Sequence, residues 1–366
     1  MKKKRYKIKK RNVYLFLIVL VCLFLLIFGK RIFYVAKLMF NDYSLSDSFV
    51  IYDSGYYEKV LERKYNSDIV HIIDKKEFLE KNFDLYYEID YIEEDYFLSV
   101  VNSLISIGYS TDDINIINKK NDAVLNEYLK NNYVSHIDRW IKYDFFKSEY
   151  MERYLKFFDG DYKKTIVNVN IGLDKEFYKD ANVITEYSVN VLANKYNKLD
   201  SSYVPSNLTP LNNCSGEGHY LASEAKDAYD KMCMAANNDG MYILSNSSYR
   251  SYESQEEVYQ YYLKLYGQSY VDKYVAVPGF SEHQTGLALD IKSKDVSIFK
   301  DSKEYKWMLN NSYKYGFILR YPEGKSDITG YNNEAWHFRY VGVEAAKYIY
   351  ENNITYDEYY VMFLDK

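Results

Sequence analysis

Val277-Pro-Gly-Phe-Ser-Glu-His-Gln-Thr-Gly-Leu-Ala-Leu-Asp-Ile291 is answered further along the chain by Glu334-Ala-Trp-His-Phe-Arg-Tyr340. Between them the two stretches offer His283, Asp290 and His337, three side chains able to hold one divalent metal, with Glu334 unclaimed beside them. Two imidazoles and a carboxylate leave a tetrahedral zinc one position open for water, as in catalytic rather than structural zinc sites. His283 follows Pro278-Gly279 and precedes Gly286, which places it in a loop feeding a strand. Leu287, Leu289 and Ile291 alternate there and put Asp290 on the opposite face. A carboxylate among apolar neighbours is costly unless it meets a cation or a metal. Taken singly, Asp290 also fits a salt-bridged carboxylate and His283 a surface loop histidine. Trp336, Phe338 and Tyr340 are expected to share one strand face, leaving His337 and Arg339 on the other. Glu334 is an odd number of residues before His337, so it must lie in the preceding turn or at a bulge to serve the same site. The spacing is not the helical His-Glu-x-x-His of common zinc proteases.

The rest of the chain reads as delivery and support. Its 366 residues exceed one typical domain and suit two domains plus an anchor. Hydrophobic residues make up 48% and charged residues 27%, the balance of a chain that folds. The net charge of −5 is uneven: residues 2–11 are mostly Lys and Arg, so the remainder is clearly acidic and nucleic acid is excluded as a partner. Val13–Gly29 carries no charge. As a helix it spans roughly 26 Å, the short limit for a membrane crossing, and snorkelling of Lys30 and Arg31 lengthens the buried stretch to Val35. A cleaved signal peptide is the alternative, but no small-x-small cleavage site follows and the apolar run is longer than an h-region. The stronger positive flank keeps the N-terminus in the cytoplasm and the C-terminal part outside.

Five segments result: a basic cytoplasmic tail at 1–12, a single-pass transmembrane signal anchor at 13–35, a mainly helical extracytoplasmic region at 36–198, a linker at 199–213 and a compact domain at 214–366. Within the helical region, Val100–Ile105 shows helical spacing with Gly108 as a C-cap, and Ser110 starts the next helix. Thr165–Gly172 alternates like a strand, and no internal repeat is evident. The linker is the stretch where Pro, Ser and Asn concentrate. Beyond it, helices over 221–237 and 251–266 and near 303–314 and 343–351 mix with strands over 241–244, 287–291 and 336–341. With no βαβ rhythm, the fold class is α+β, a small antiparallel sheet flanked by helices. Cys22 lies in the apolar helix; Cys214 and Cys233 fit either a disulfide or two separate thiols.

Ser247–Gln255, Pro278–Ile291 and Gly316–Gly342 closely resemble the VanY-type D-alanyl-D-alanine carboxypeptidases, zinc peptidases that trim peptidoglycan stem peptides. The resemblance covers about residues 205–350 and implies that His283, Asp290 and His337 ligate one zinc ion while Glu334 is the catalytic base. It further implies that Arg250 faces the scissile carbonyl, that Gln255 and Ser281 line the substrate pocket, and that Trp336 forms a pocket wall. Ala335 departs from the family, many of whose members have Pro there. Glu282 and Gln284 match without an evident role, and Arg320 and Arg339 fit salt-bridged scaffold as well as function. The resemblance makes stem peptides or their precursors the substrate. An L,D-carboxypeptidase acting on tetrapeptide stems shares the same machinery, and a non-catalytic wall-binding module is the reading from a different class. Such a module has no use for a base.

Overall fold

A computed structural model describes residues 10–365, so most of the basic tail expected at 1–12 lies outside the described residues. The chain divides into two compact units, Met1–Ile141 and Lys142–Lys366.

The first unit opens with the helix Lys10–Phe40. Within it, Val13–Phe40 is long and apolar enough to cross a membrane. Short helices follow. Phe97–Ile107 buries Phe97, Val100, Val101 and Leu104 on one stripe and stops at Gly108, whose φ of 108° is the left-handed value that a side chain disfavours. Ser110 then accepts a hydrogen bond from the Asp113 amide and starts the next helix, as its sequence predicts.

An internal repeat is present that the sequence conceals. The Leu79 amide donates to the Tyr86 hydroxyl, Tyr86 donates to Asn102 Oδ1, and Asn102 Nδ2 donates to the Glu77 carbonyl, at separations of 7, 16 and 25 residues. In the second unit Lys147, Tyr154, Asn170 and Phe145 make the same three bonds at the same separations. In the same register Ile69 and Ile137, Ile73 and Ile141, Phe78 and Phe146, and Val101 and Val169 also match, identities too scattered to stand out as a motif.

Two further expectations change. Thr165–Gly172 belongs to the helix Tyr162–Ile171, not a strand. Asp161 caps that helix by accepting from the Lys164 amide and Gly172 ends it at φ 104°, and these two stops outweigh the β-branched alternation between them. Residues 199–213 are not a free linker. β1 (Asn182–Ile184) pairs with β2 (Asn197–Leu199), and β3 (Leu208–Pro210) with β4 (Tyr220–Ala222). Leu199, Tyr203 and Leu211 are buried in the main core of the second unit. The Pro, Ser and Asn residues there form turns inside a domain rather than marking its edge.

That core is organised by an antiparallel four-stranded sheet of β5 (Ile243–Ser247), β6 (Ala288–Ser293), β7 (Phe317–Leu319) and β8 (His337–Tyr340), in spatial order β5-β6-β8-β7. One face sends Leu289, Ile291 and Phe338 against Tyr229, Met232 and Ala236 of the helix Ser223–Asn238, all at most 1% exposed. By alternation the other face carries Asp290 and His337. Cys214 and Cys233 form a disulfide that ties the segment after β3 to this helix.

Candidate active site

The register of β6 against β8 sets Asp290 directly opposite His337, so a one-residue slip would turn both into the core. His283 comes from a short 3-10 turn, Glu282–Thr285, between two stops. Ser281 Oγ accepts from the His283 amide, and Gly286 closes the turn at φ 69°. A Cβ on Gly286 would stand 3.0 Å from Leu208 Cδ2 and 3.2 Å from the Ala222 nitrogen, so glycine is required there for space as well as conformation. Gln284 fastens the turn from behind by donating to the carbonyls of Asp200 and Tyr203, at 2.9 and 3.2 Å.

The three candidate ligand atoms lie within 4.8 Å of one another. Asp290 Oδ1 is 3.4 Å from His283 Nε2 and 3.2 Å from His337 Nδ1. Each ring turns its other nitrogen to an acceptor: His283 Nδ1 is 2.7 Å from the Ser248 carbonyl, and His337 Nε2 is 3.3 Å from Glu282 Oε2. Those acceptors fix the ring protons on the outward nitrogens and leave both inward lone pairs aimed at one point beside a carboxylate. This is the donor set and outer support that a zinc ion requires.

Glu282 was the residue without a role, and it is the one on which His337 rests. It is 1% exposed and accepts from Arg320 Nε at 2.7 Å and Arg339 Nη1 at 3.2 Å. Arg320 also pairs with Asp357 at 2.6 Å, and Arg339 donates to the Val191 carbonyl at 2.7 Å. Both arginines are therefore scaffold. Burial by itself raises the Glu282 carboxyl, but the two guanidinium groups and His337 outweigh it and hold the group well below the usual carboxylate range. A carboxyl depressed in this way contributes stability above its unfolded pKa of about 4.3, and that stability is lost as pH falls through the folded value.

Glu334 sits where the odd spacing requires, in the turn before β8. Its carbonyl accepts from the His337 amide at 3.2 Å, and its carboxylate stands 3.9 Å from His337 Nδ1. Burial pushes its carboxyl up to about 8; Asp290 and Glu282 push the same way, while His337 and Arg250 oppose. A cation beside it would draw it back toward the ionised form. Arg250 donates through Nη1 to Gln255 Oε1 at 2.7 Å and through Nη2 to Ser247 Oγ at 2.8 Å. Gln255 donates in turn to the Ala276 carbonyl at 2.7 Å, so both ends of its amide are engaged in holding Arg250. Trp336 falls in the turn rather than in the strand and is 41% exposed. Arg250, Gln255, Ser281, His283, Asp290, Glu334, Trp336 and His337 all line one cleft of about 280 Å³. Sequence reasoning missed Glu282 and the Ser248 carbonyl. A charged residue inside the motif next to a candidate ligand was the available signal for Glu282; no residue type announces a backbone acceptor.

Glu282→Gln is expected to cost about 3–5 kcal/mol of stability by leaving buried guanidinium charge. It should also weaken zinc binding about 10- to 100-fold by freeing the His337 ring. Its acid-side loss of stability should be smaller than that of the unsubstituted chain. Asp357→Asn breaks the same network away from His337 and should lower stability with little change in metal affinity. Titration with a competing chelator, and denaturant unfolding at pH 7 and at about pH 3, inside the window below the unfolded pKa, check both halves.

The residues 218–343 match the sequence model of the family described as VanY, D-alanyl-D-alanine carboxypeptidase. The putative carboxypeptidase YodJ of Bacillus subtilis (strain 168) is 38% identical over 215 residues, spanning 54% of this chain and 79% of that protein. The bifunctional D-Ala-D-Ala dipeptidase and D-Ala-D-Ala carboxypeptidase VanXYC of Enterococcus gallinarum is 36% identical over 176 residues, 46% of this chain and 92% of that protein. Among solved structures, a vancomycin-resistance D,D-pentapeptidase VanY mutant in complex with Zn(II) shares 36% identity at a TM-score of 0.42, covering 47% of this chain and 98% of its own. With a substantially complete relative matched at this identity, and its motifs gathered in one cleft, the chain belongs to the VanY D-alanyl-D-alanine carboxypeptidase family.

Proposed function

We propose that this chain is a membrane-anchored zinc D,D-carboxypeptidase that removes the terminal D-alanine from peptidoglycan stem peptides. The observation carrying this reading is the meeting of His283, Asp290 and His337 with Glu334 and Arg250 in a single cleft. His283, Asp290 and His337 hold one metal ion per chain. A zinc ion bound there supplies a Lewis acid and a water acidified to a pKa of about 7. Glu334 takes the proton of the attacking water and returns it to the leaving nitrogen of D-alanine. Its burial beside two other carboxylates suits it to both directions of that transfer. Arg250, held by Gln255 and Ser247, donates to the carbonyl oxygen as negative charge develops; one such donor is worth about 3–4 kcal/mol in comparable sites. Ser281 and the neighbouring loop amides receive the terminal carboxylate, and Trp336 walls the substrate channel. The helix Val13–Phe40 anchors the chain, with the N-terminus inside and the second unit outside.

Glu334→Gln is expected to retain zinc and lose about 10²- to 10⁴-fold in kcat. Loss of zinc would make Glu334 a ligand, and retained turnover would make it a bystander. In the unsubstituted protein, a stem ending in free D-Ala-D-Ala should be cleaved far faster than its amide or a version extended by one residue, because a site built for a carboxylate leaves buried donors mismatched on the others. Preference for a tetrapeptide stem would instead identify the L,D-specific enzyme, and similar kcat/KM for all substrates would exclude a carboxypeptidase. Protease added outside spheroplasts should remove the second unit; a protected unit would overturn the topology and the wall substrate together.

A further inference from the structure

Among the residues lining the cleft, Gln255, Val275 and Ser281 are buried at 1%, 7% and 4% exposed, whereas Trp336 is 41% exposed. Asn246, Tyr274 and Trp336 also line a second groove of about 740 Å³, so the cleft continues into it on this more exposed side. That groove is lined by Ile298 and Phe299 together with Lys292 and Lys300, with no carboxylate among the described residues lining it. Lys300 is engaged with Glu323 at 3.0 Å. Lys292 is exposed and has no ion pair among the described residues. It lies on β6 two residues beyond Asp290, hence on the same strand face and about 7 Å further along.

We propose that this second groove takes the retained part of the stem peptide, and that Lys292 pairs with a carboxylate on it, so that the enzyme prefers acidic stems to amidated ones. The proposal rests on the carboxypeptidase reading, which requires the small leaving residue in the buried part of the cleft and the remaining chain on its exposed side. An extended peptide advances about 3.3–3.6 Å per residue, so a carboxylate one or two residues before the scissile bond comes within reach of the Lys292 ammonium. Tyr274 and Trp336 then flank the chain where it passes from one groove to the other. A groove with a free cation and no anion rewards a carboxylate and gives its neutral amide nothing to pair with.

The test uses the full-length, zinc-loaded Glu334→Gln protein, which binds without turnover. Its ligands are a synthetic stem peptide ending in D-Ala-D-Ala with its internal carboxylates free, and the same peptide with those carboxylates amidated and the terminus unchanged. Calorimetric Kd values should favour the acidic peptide by about two- to fivefold, the range of an exposed ion pair. Adding Lys292→Glu should reverse the preference. Equal affinity for both peptides, or a preference that survives Lys292→Glu, overturns the proposal. Hydrolysis by the unsubstituted protein separates the two claims. Cleavage of both peptides with equal kcat/KM would remove the groove assignment and leave the carboxypeptidase. Charge-selective binding with cleavage of neither would do the reverse.

Discussion

The fully buried carboxylate of Glu282 binds the scaffold to the chemistry. Its oxygens meet Arg320 and Arg339 on one side and His337 on the other. Two guanidinium groups out of contact with water are tolerable only because Glu282, Asp357 and main-chain carbonyls share their charge and donors. The same carboxylate decides which nitrogen of His337 points at Asp290. A network that looks like structural reinforcement therefore sets the tautomer of a candidate metal ligand, and any metal affinity there is coupled to stability at this one residue.

The frame of the site reaches beyond the residues that carry the family motifs. Arg339 is held by the carbonyls of Val189 and Val191, and Gln284 by those of Asp200 and Tyr203, all earlier in the chain than residue 218, where the family match begins. Lys195 completes this support. Its ammonium donates to the Asp272 carbonyl at 2.6 Å and lies between the rings of Phe177 and Tyr331, at 4.4 and 4.5 Å, while burial lowers its pKa to about 8. Tyr331 is itself a cleft residue. The segment from about residue 177 to 211 thus clamps the back of the turn that carries His283 and one wall of the cleft. For this reason the core closes over residues that composition alone assigns to a linker.

What could be read in the sequence was whatever local period and residue type determine. Alternation in 287–291 placed Asp290 off the core face, the odd spacing placed Glu334 in a turn, Gly108 marked a helix end by its left-handed backbone, and Ser110 marked a helix start by its capping hydroxyl. What could not be read depends on distant partners. Thr165–Gly172 alternates like a strand, but its fate is set by the capping Asp161 and the terminating Gly172. The repeated Tyr-Asn clamp leaves a few identities scattered over long intervals. Glu282 looks like any loop carboxylate until Arg320, just past the end of β7, and Arg339, on β8, meet it. The pairing of Cys214 with Cys233 likewise depended on where β3 and the following helix settle.

If His283, Asp290 and His337 hold the catalytic ion, D-alanine release must depend on it. The most direct measurement follows D-alanine released from a D-Ala-D-Ala stem peptide by the full-length protein before chelation, after it, and on stepwise return of zinc. Release should vanish with the metal and recover fully at about one equivalent per chain. Release that persists in the metal-free protein, or stays absent with one equivalent bound, would contradict that dependence.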